Sequence, residues 1–385
     1  MHLLGFSLLI VVGGLAELCF AQLSESRINL EQNEYRLAPW GIKEKWSLSM
    51  LQSAEKQMVR ESSRAEAIGS FEFSRSFDDQ LQIMARPAFR FVTGREQDIF
   101  SERLPKNEVY ADEFWVKWTP TSSSALQVGA LNQSHLGNRL LVDDRPFPAA
   151  RVGFNPRFNP AVSLAMSAQI AIPSSYTLEA QATDSEPLPK FQSASMSVDY
   201  GLDQDLNLDL GATFFAFSDL PQIVAVESDR LGNSVSSTSS ATGRFNYDYE
   251  GIAVQGGVHY VLGWGQLGWR GLGIRNSGAP SDLGTGFVST LSYKMAVTEK
   301  HILGLATSYF RIQPDTAPAL YTDEIYSNNR IGLGLTAYLD HKGWGLRFKS
   351  SYVQDTPYFQ DPEMGDRTLF LISVGNLSDV EAKHF

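Results

Sequence analysis

From about residue 68 to residue 377 apolar and polar side chains alternate with a period of two, in one segment after another. A period of two places successive side chains on opposite faces of a β-strand. Phe71, Phe73 and Phe77 interleave with Ser70, Glu72, Ser74 and Ser76. Leu81, Ile83, Ala85, Phe89 and Phe91 then share one face, with Gln82, Arg86 and Arg90 on the other. Pro87 interrupts that run, which a ladder accepts only at a bulge or an edge. Similar segments follow at 110–118, 125–131, 162–172, 193–202, 206–217, 243–249, 252–262, 287–295, 302–312, 330–339, 344–353 and 367–377. The pattern predicts roughly fourteen to sixteen strands of about 9–13 residues, where an ordinary globular strand has about 5–6.

The connections constrain the fold further. Tight turns fall at 78–79, 203–205, 250–251, 298–300 and 341–343, and between them lie longer loops near 94–107, 132–148, 173–190, 218–241, 263–285, 313–328 and 354–366. Short turns at one end and long loops at the other characterise a transmembrane antiparallel β-barrel. In lipid every backbone polar group must be paired, so a closed barrel is the all-β solution. The faces agree with an apolar exterior and a wet lumen. Leu206, Leu208, Leu210, Ala212 and Phe214 oppose Asn207, Asp209, Gly211 and Thr213; Ile331, Leu333, Leu335, Ala337 and Leu339 oppose Arg330, Gly332, Gly334, Thr336 and Tyr338. Tyr110, Trp118, Tyr200, Tyr260, Tyr293, Tyr338, Trp344 and Tyr352 stand near segment ends as candidates for interfacial belts.

Composition removes other classes. The 385 residues carry a formal charge of −11, which argues against a nucleic-acid binder that must neutralise phosphates. Cys19 is the single cysteine, so neither a disulfide framework nor a cysteine metal site is available. Residues 3–20 are mostly apolar and Ala21 follows, which reads as a signal peptide over 1–21, although no Lys or Arg precedes the apolar run. Within 22–66, Leu48, Leu51, Ala54 and Met58 recur at helical spacing. That spacing predicts a partly helical periplasmic or plug segment. The barrel is then expected over 67–377, with a tail at 378–385.

Motifs for catalysis or cofactors do not hold up. Gly263-Trp264-Gly265-Gln266-Leu267-Gly268 fits the dinucleotide pattern by letter, but Trp269-Arg270-Gly271-Leu272-Gly273 follows in place of a helix, so it reads as a flexible loop. Asp203, Asp205, Asn207 and Asp209 begin like a calcium loop, yet Leu208 and Phe214 occupy its glycine and glutamate positions. His135, His259, His301, His341 and His384 are too dispersed for a local metal site. His259 alone falls mid-strand on a polar face, where a neighbouring serine would be needed for hydrolysis. The reading is of a protein without cofactor or catalytic residue.

Ionisable residues on the polar faces are the candidate pore lining: Glu72, Arg86, Arg90, Glu113, Lys117, Arg244, Arg347 and Lys349. Charge in a narrow aqueous pore sets ion preference because low-dielectric walls focus the field. In loop 132–148, Asp143, Asp144 and Arg145 lie beside apolar Leu140-Leu141-Val142 and Pro146-Phe147-Pro148. An apolar run in a long loop must pack somewhere. Folding inward would narrow the pore with those three charged residues; the alternative is packing on the outer surface.

With these features the chain resembles the Gram-negative outer-membrane β-barrels of the porin-like kind, over about 68–377 and the signal peptide. The stretch 126–154 (LQVGALNQSHLGNRLLVDDRPFPAARVGF) looks like their strand–loop–strand, and that of alginate-export-type barrels. Phe385 is terminal, as in many such barrels, but Asp379, Glu381 and Lys383 take the usually apolar alternate positions, so 367–377 is the better final strand. Phe158-Asn159-Pro160-Ala161 is similar to a motif of fatty-acid-transporting barrels, without their hatch. The resemblance implies a bacterial outer-membrane channel passing small hydrophilic solutes or ions, in contact with outer-membrane lipid. It leaves open whether the barrel forms a homotrimer. The alternatives are a structural, adhesive or plugged barrel binding a partner through its outer loops, a transporter of hydrophobic substrates, or an outer-membrane hydrolase.

Overall fold

The computed structural model describes residues 36–37, 42–56, 61–77, 80–97, 102–103, 107–159, 161–174, 186–201, 205–237, 242–360 and 364–376. The expected signal peptide at 1–21 and tail at 378–385 lie outside these residues. Sixteen long strands form the wall: β1 (Ile42–Lys56), β2 (Glu61–Ser76), β3 (Leu81–Gln97), β4 (Glu108–Thr121), β5 (Ser124–Asn132), β6 (Pro146–Phe154), β7 (Val162–Ala171) and β8 (Lys190–Gly201). They continue with β9 (Leu206–Ser218), β10 (Tyr249–Leu262), β11 (Gly265–Asn276), β12 (Thr285–Ala296), β13 (His301–Ile312), β14 (Arg330–His341), β15 (Leu346–Pro357) and β16 (Arg367–Asn376). Each pairs antiparallel with its sequence neighbour, and β16 returns to β1 from Thr368↔Lys56 to Val374↔Met50, closing an all-β antiparallel barrel. Three short strands (Arg36–Leu37, Glu102–Arg103, Arg157–Asn159) extend the ladders of β1, β3 and β7.

The strands run from 9 residues in β5 to 17 in β3, enough for a tilted strand to cross a bilayer, which takes about 9–11. Connections alternate as expected, from the two-residue turns 122–123 and 263–264 at one end to the loops 133–145, 172–189, 219–248 and 313–329 at the other. Both ends of the barrel wall, Ile42 and Asn376, fall on the short-turn side. Pro87 sits where the β3–β4 register shifts, with Arg86 opposite Glu113 and Pro87 opposite Ala111. Asp112 is the extra residue, so the bulge accommodates the proline's missing N–H.

Four sequence readings are corrected. The helical spacing within 22–66 does not give a helix over 42–56: Leu48 and Met50 face outward while Leu51 and Ser53 face inward. As β1, this segment closes the barrel through ladders on both its edges, which outweighs a local periodicity. Residues 42–56 and 61–66 are therefore wall and cannot be a plug; Met58 is outside the described residues. Residues 250–251 are not a turn but lie within β10, and 243–249 is mostly loop. Residues 265–276, read as loop, form β11. Finally, Pro146-Phe147-Pro148, expected at the end of loop 132–148, instead begin β6, the second strand of the strand–loop–strand likeness over 126–154.

Outward-facing side chains are apolar and exposed around the wall, including Phe91 at 62%, Phe114, Trp118, Leu210, Phe214 at 63%, Val254, Leu333 and Leu335. A continuous exposed surface of that kind has no place in water and matches a lipid-facing band. Tyr200, Tyr260 and Tyr352 are exposed on it, as expected of belt residues. Tyr110 and Tyr338 are not belt residues. They fall in the inward parity of β4 and β14, between exposed Val109 and Ala111 and between Ala337 and Leu339. No helix of the described residues is long and apolar enough to cross a membrane.

The inward face is not polar throughout. At the long-loop end it turns apolar, with Phe191, Phe215, Phe217, Ile274, Phe310, Ile312 and Leu369 packed on Leu136, Leu140, Leu141, Val142 and Tyr321 from loops. The helix α1 (Gln222–Asp229) in the 219–248 connection adds Ile223 and Val224 to this cluster. The wet lumen expected along whole strands is thus restricted: loops fill the mouth, and burying them provides the apolar contact that each strand end offers.

Candidate functional site

Loop 133–145 folds inward. A short helical turn at Ser134–Leu136 ends at Gly137, whose positive φ of 68° suits glycine. Asn138 then donates from Nδ2 to the carbonyls of Val254 and Gly273, both at 2.9 Å, which pins the loop to β10 and β11, far from its own strands. Arg270 on β11 donates to the Gly137 carbonyl at 3.1 Å. At the loop's base, Gln133 is fully buried and accepts from Gln169 on β7. Leu140, Leu141 and Val142 supply the apolar face that makes this burial favourable.

Loop 313–329 meets it inside the barrel. The Asp143 N–H donates to the Tyr321 carbonyl at 2.8 Å, and the Asp323 N–H to the Arg139 carbonyl at 3.2 Å. Arg139 bridges both loops, 3.2 Å from Asp143 and 2.9 Å from Asp323. Burial works against the charge of Arg139, but Asp323 and Asp143 outweigh it and hold its pKa above the ordinary guanidinium value. Burial would likewise raise Asp143, and Arg139 instead brings it below the usual carboxylate range. Asp323, deeper and beside Asp143, is raised by burial despite Arg139. Loop 219–248 is tied in by Asn233, which donates to the Pro314 and Ala317 carbonyls and accepts from the Ala319 N–H at 2.7 Å.

The predicted pore-lining residues divide into three groups. Glu72, Arg86, Arg90 and Glu113 come together on the inner face of β2–β4. Arg86 lies 2.6 Å from Glu72 and 3.4 Å from Glu113, and the bulge at Asp112 brings a third carboxylate to 3.6 Å. Arg90 pairs with Glu66 at 2.8 Å and Glu108 at 3.8 Å. Lys117 faces inward nearer the short turns, opposite Gln82. Arg347 and Lys349 are inward on β15, but Arg347 is a buried ion pair, 2.7 Å from Asp340 and stacked on Tyr338 at 4.2 Å. Arg244 is not on the wall at all. It is exposed in loop 219–248, because 243–249 is not a strand. Of the loop candidates, Asp143 takes part in the inter-loop contact, while Asp144 lines the cavity beneath it.

That cavity, of about 200 Å³, lies between loop 133–145 and the inner wall of β10–β15, and Arg139, Arg270, Arg347 and Lys349 reach it. Sequence reasoning missed Glu66, Glu108, Asp112, Arg139 and Arg270. Glu66 lies in the segment expected to be periplasmic or a plug, Arg270 lies in a stretch expected to be loop, and Arg139 shows its role only once the loop turns inward. His259 also borders the cavity, with Nε2 3.7 Å from Asp209. No serine hydroxyl is hydrogen-bonded to it among the described residues. No group of three or more metal-ligating side chains occurs among the described residues.

A closed sixteen-strand barrel with an apolar exterior, charged inner wall and inward-folded loops has the fold of a porin-type outer-membrane β-barrel. No family model matches the chain, and no curated protein matches it. Solved structures do match in fold. A loop-deletion mutant of OmpT, an outer membrane protein of Vibrio cholerae, aligns at a TM-score of 0.52 and 11% identity, over 87% of this chain and 99% of that one. Pseudomonas putida OprB aligns at 0.54 and 10%, over 86% and 94%. Salmonella typhi OmpF aligns at 0.51 and 8%, over 87% and 98%. At these identities the likeness is one of fold.

Proposed function

We propose that this protein is a passive channel for small hydrophilic solutes, with its inward-folded loops setting the size limit and its wall charges filtering what passes. The observation that carries the reading is the ladder of Arg86, Glu72, Asp112 and Glu113 inside a lipid-facing barrel. These side chains keep 14–27% of their surface exposed. Charges left that open inside a barrel need water to solvate them, since a dry interior would penalise each strongly. A hydrated lumen narrowed at one end supports diffusion without any catalytic step.

A second reading is a barrel sealed by its own loops and used for its outer surface. The apolar cluster at the long-loop end favours it. Liposome swelling separates the two. Vesicles carrying the folded protein should swell in isotonic small sugars, at rates that fall steeply with sugar size. Vesicles that do not swell even in the smallest sugar would favour the sealed barrel.

A further inference from the structure

The short-turn end of the barrel carries an outward-facing cluster that neither the lumen nor the long loops use. His301 opens β13 and His341 closes β14, and the two are direct partners across the ladder. Both share the outward parity of Leu303, Leu305, Leu335 and Leu339, so they end two apolar columns of the lipid-facing wall. Their rings meet edge to face at 4.7 Å, and Trp344 stacks on His341 at 4.2 Å. The turns 297–300 and 342–345 are joined, because the Lys342 N–H donates to the Lys300 carbonyl at 2.8 Å. A Cβ built on Gly343 would lie 3.0 Å from His341 Cε1 and 3.8 Å from Lys300 Cδ, so the Lys300 stem runs across the neighbouring turn beside His341.

The hydrogen bonds fix which protons these rings present. The Thr298 hydroxyl oxygen accepts from the Lys300 and His301 N–H groups at 3.2 and 3.1 Å, which fills its two lone pairs. Its own proton is left for His301 Nδ1, 2.8 Å away. His341 Nδ1 also accepts, from the Trp344 N–H at 2.9 Å. A neutral imidazole that accepts at Nδ1 carries its proton at Nε2. Both rings therefore present an Nε2–H donor, and neither Nε2 has a hydrogen-bond partner among the described residues. That tautomer leaves no Nε2 lone pair for a metal ion.

The charges around the cluster ask for an anion. Lys300 and Lys342 are exposed and make no ion pair among the described residues. Two carboxylates are near in sequence. Asp340 faces inward and holds Arg347 at 2.7 Å, while Glu299 is exposed and makes no ion pair among the described residues. Lys294, opposite Gly304 on β13, faces the lumen. Other short turns have the opposite sign, with two aspartates each at 78–79 and 203–205. Like charges held on joined turns repel, and an anion between them relieves the repulsion.

We propose that this rim binds the phosphate of an anionic phospholipid, such as phosphatidylglycerol, in the leaflet on the short-turn side, which in outer-membrane barrels is the periplasmic one. Lys300 and Lys342 attract the charge, and the two Nε2–H groups donate to the phosphate oxygens. The acyl chains lie along the columns of Leu303 and Leu305 and of Leu335 and Leu339. Those columns favour a lipid over a soluble anion, because only acyl chains would cover them. A zwitterionic headgroup fits less well, since it brings its own cation up to the lysines. The site stands on the outer wall and does not depend on whether the lumen conducts.

The test is native mass spectrometry of the folded protein in non-ionic detergent, titrated with dioleoylphosphatidylglycerol in one arm and dioleoylphosphatidylcholine in the other. Wild type should bind its first phosphatidylglycerol about 10-fold more tightly than phosphatidylcholine. Replacing Lys300 and Lys342 together by Gln should abolish most of that preference. His301→Phe, which keeps a ring and removes the Nε2–H donor, should weaken phosphatidylglycerol binding. Lys190→Gln, paired with Asp219 at the opposite end, should leave it unchanged. Heat-dependent migration on SDS gels verifies that each variant is folded, and Lys342→Gln alone, at an exposed turn position, serves if the double variant is not. Equal affinity for the two lipids in wild type overturns the proposal, as does an unchanged preference in the folded lysine variant. Displacement of bound phosphatidylglycerol by excess inorganic phosphate would place a soluble anion at the rim and overturn the lipid. Conductance does not enter this readout, so failure of the channel and failure of this site are separate results.

Discussion

Arg139 and Asp323 belong to different loops, yet the guanidinium Nη2 of one lies 2.9 Å from the carboxylate Oδ2 of the other, inside the barrel. Asp323 keeps 5% of its side-chain surface, Arg139 about 30%. Arg139→Ala therefore leaves a buried carboxylate without its charge partner, a penalty of about 1–3 kcal/mol. The strand ladders do not depend on this contact. Heat-modifiable migration should stay as in wild type, while limited proteolysis within 313–329 should speed up by roughly tenfold, as local opening becomes easier. Unchanged cleavage would show that the loops are held without the pair.

Proton uptake should tighten the same loop. Burial raises the carboxyl groups of Asp315 and Asp323 above the ordinary value, in Asp315 against hydrogen bonds donated by Ser234 and Tyr249. A raised carboxyl binds its proton more firmly in the docked loop than in the undocked one. Its contribution is therefore fully present below the ordinary value of about 3.9 and is lost as pH rises through the raised value. Asp143 is held low by Arg139 and stays ionised over that window. Amide exchange within 313–329, corrected for intrinsic rates, should be slower at about pH 5 than at about pH 7.5. The Asp315→Asn, Asp323→Asn double variant should lose that difference.

Much of the wall is legible in the sequence because lipid imposes one rule on every strand. Leu206 to Phe214 and Ile331 to Leu339 carry period two, and the structure turns both sets outward. The bulge that Pro87 requires is present. What fails are segments where the rule competes with a local signal. Leu48, Leu51 and Ala54 look helical, and Gly263 to Gly273 looks like loop, because in each the strand is dictated by partners on both sides. The interior of the mouth was legible only as the unexplained apolar run Leu140-Leu141-Val142. Phe215 and Phe217 alternate as well as any lipid-facing pair does, and period two cannot say which face meets lipid and which meets a folded loop.

Gly129 on β5 is a position where the backbone demands glycine. Its φ is 144°, and a Cβ there would lie 2.0 Å from the Phe114 carbonyl oxygen of β4. Gly129→Ala should disrupt the β4–β5 ladder and sharply reduce the heat-modifiable folded fraction. Gly69→Ala meets no atom within 4 Å and should fold as wild type, which makes it the matched comparison.

Phe217 joins the wall to the mouth, stacked against Phe191 at 4.5 Å and Tyr321 at 6.0 Å. Phe217→Ala should cost the docked loops about 3–5 kcal/mol while sparing the strand ladder. Solvent exchange at 313–329 and 133–145 should rise together in this variant. Exchange confined to one loop would mean that the two do not dock as a unit.

The most direct test of a hydrated, conducting lumen is electrical. Folded protein incorporated into a planar bilayer in potassium chloride should produce discrete conductance steps, larger in Arg139→Ala than in wild type because the loops that narrow the mouth separate. Bilayers that stay silent with folded protein present would contradict the channel and leave a barrel closed by its own loops.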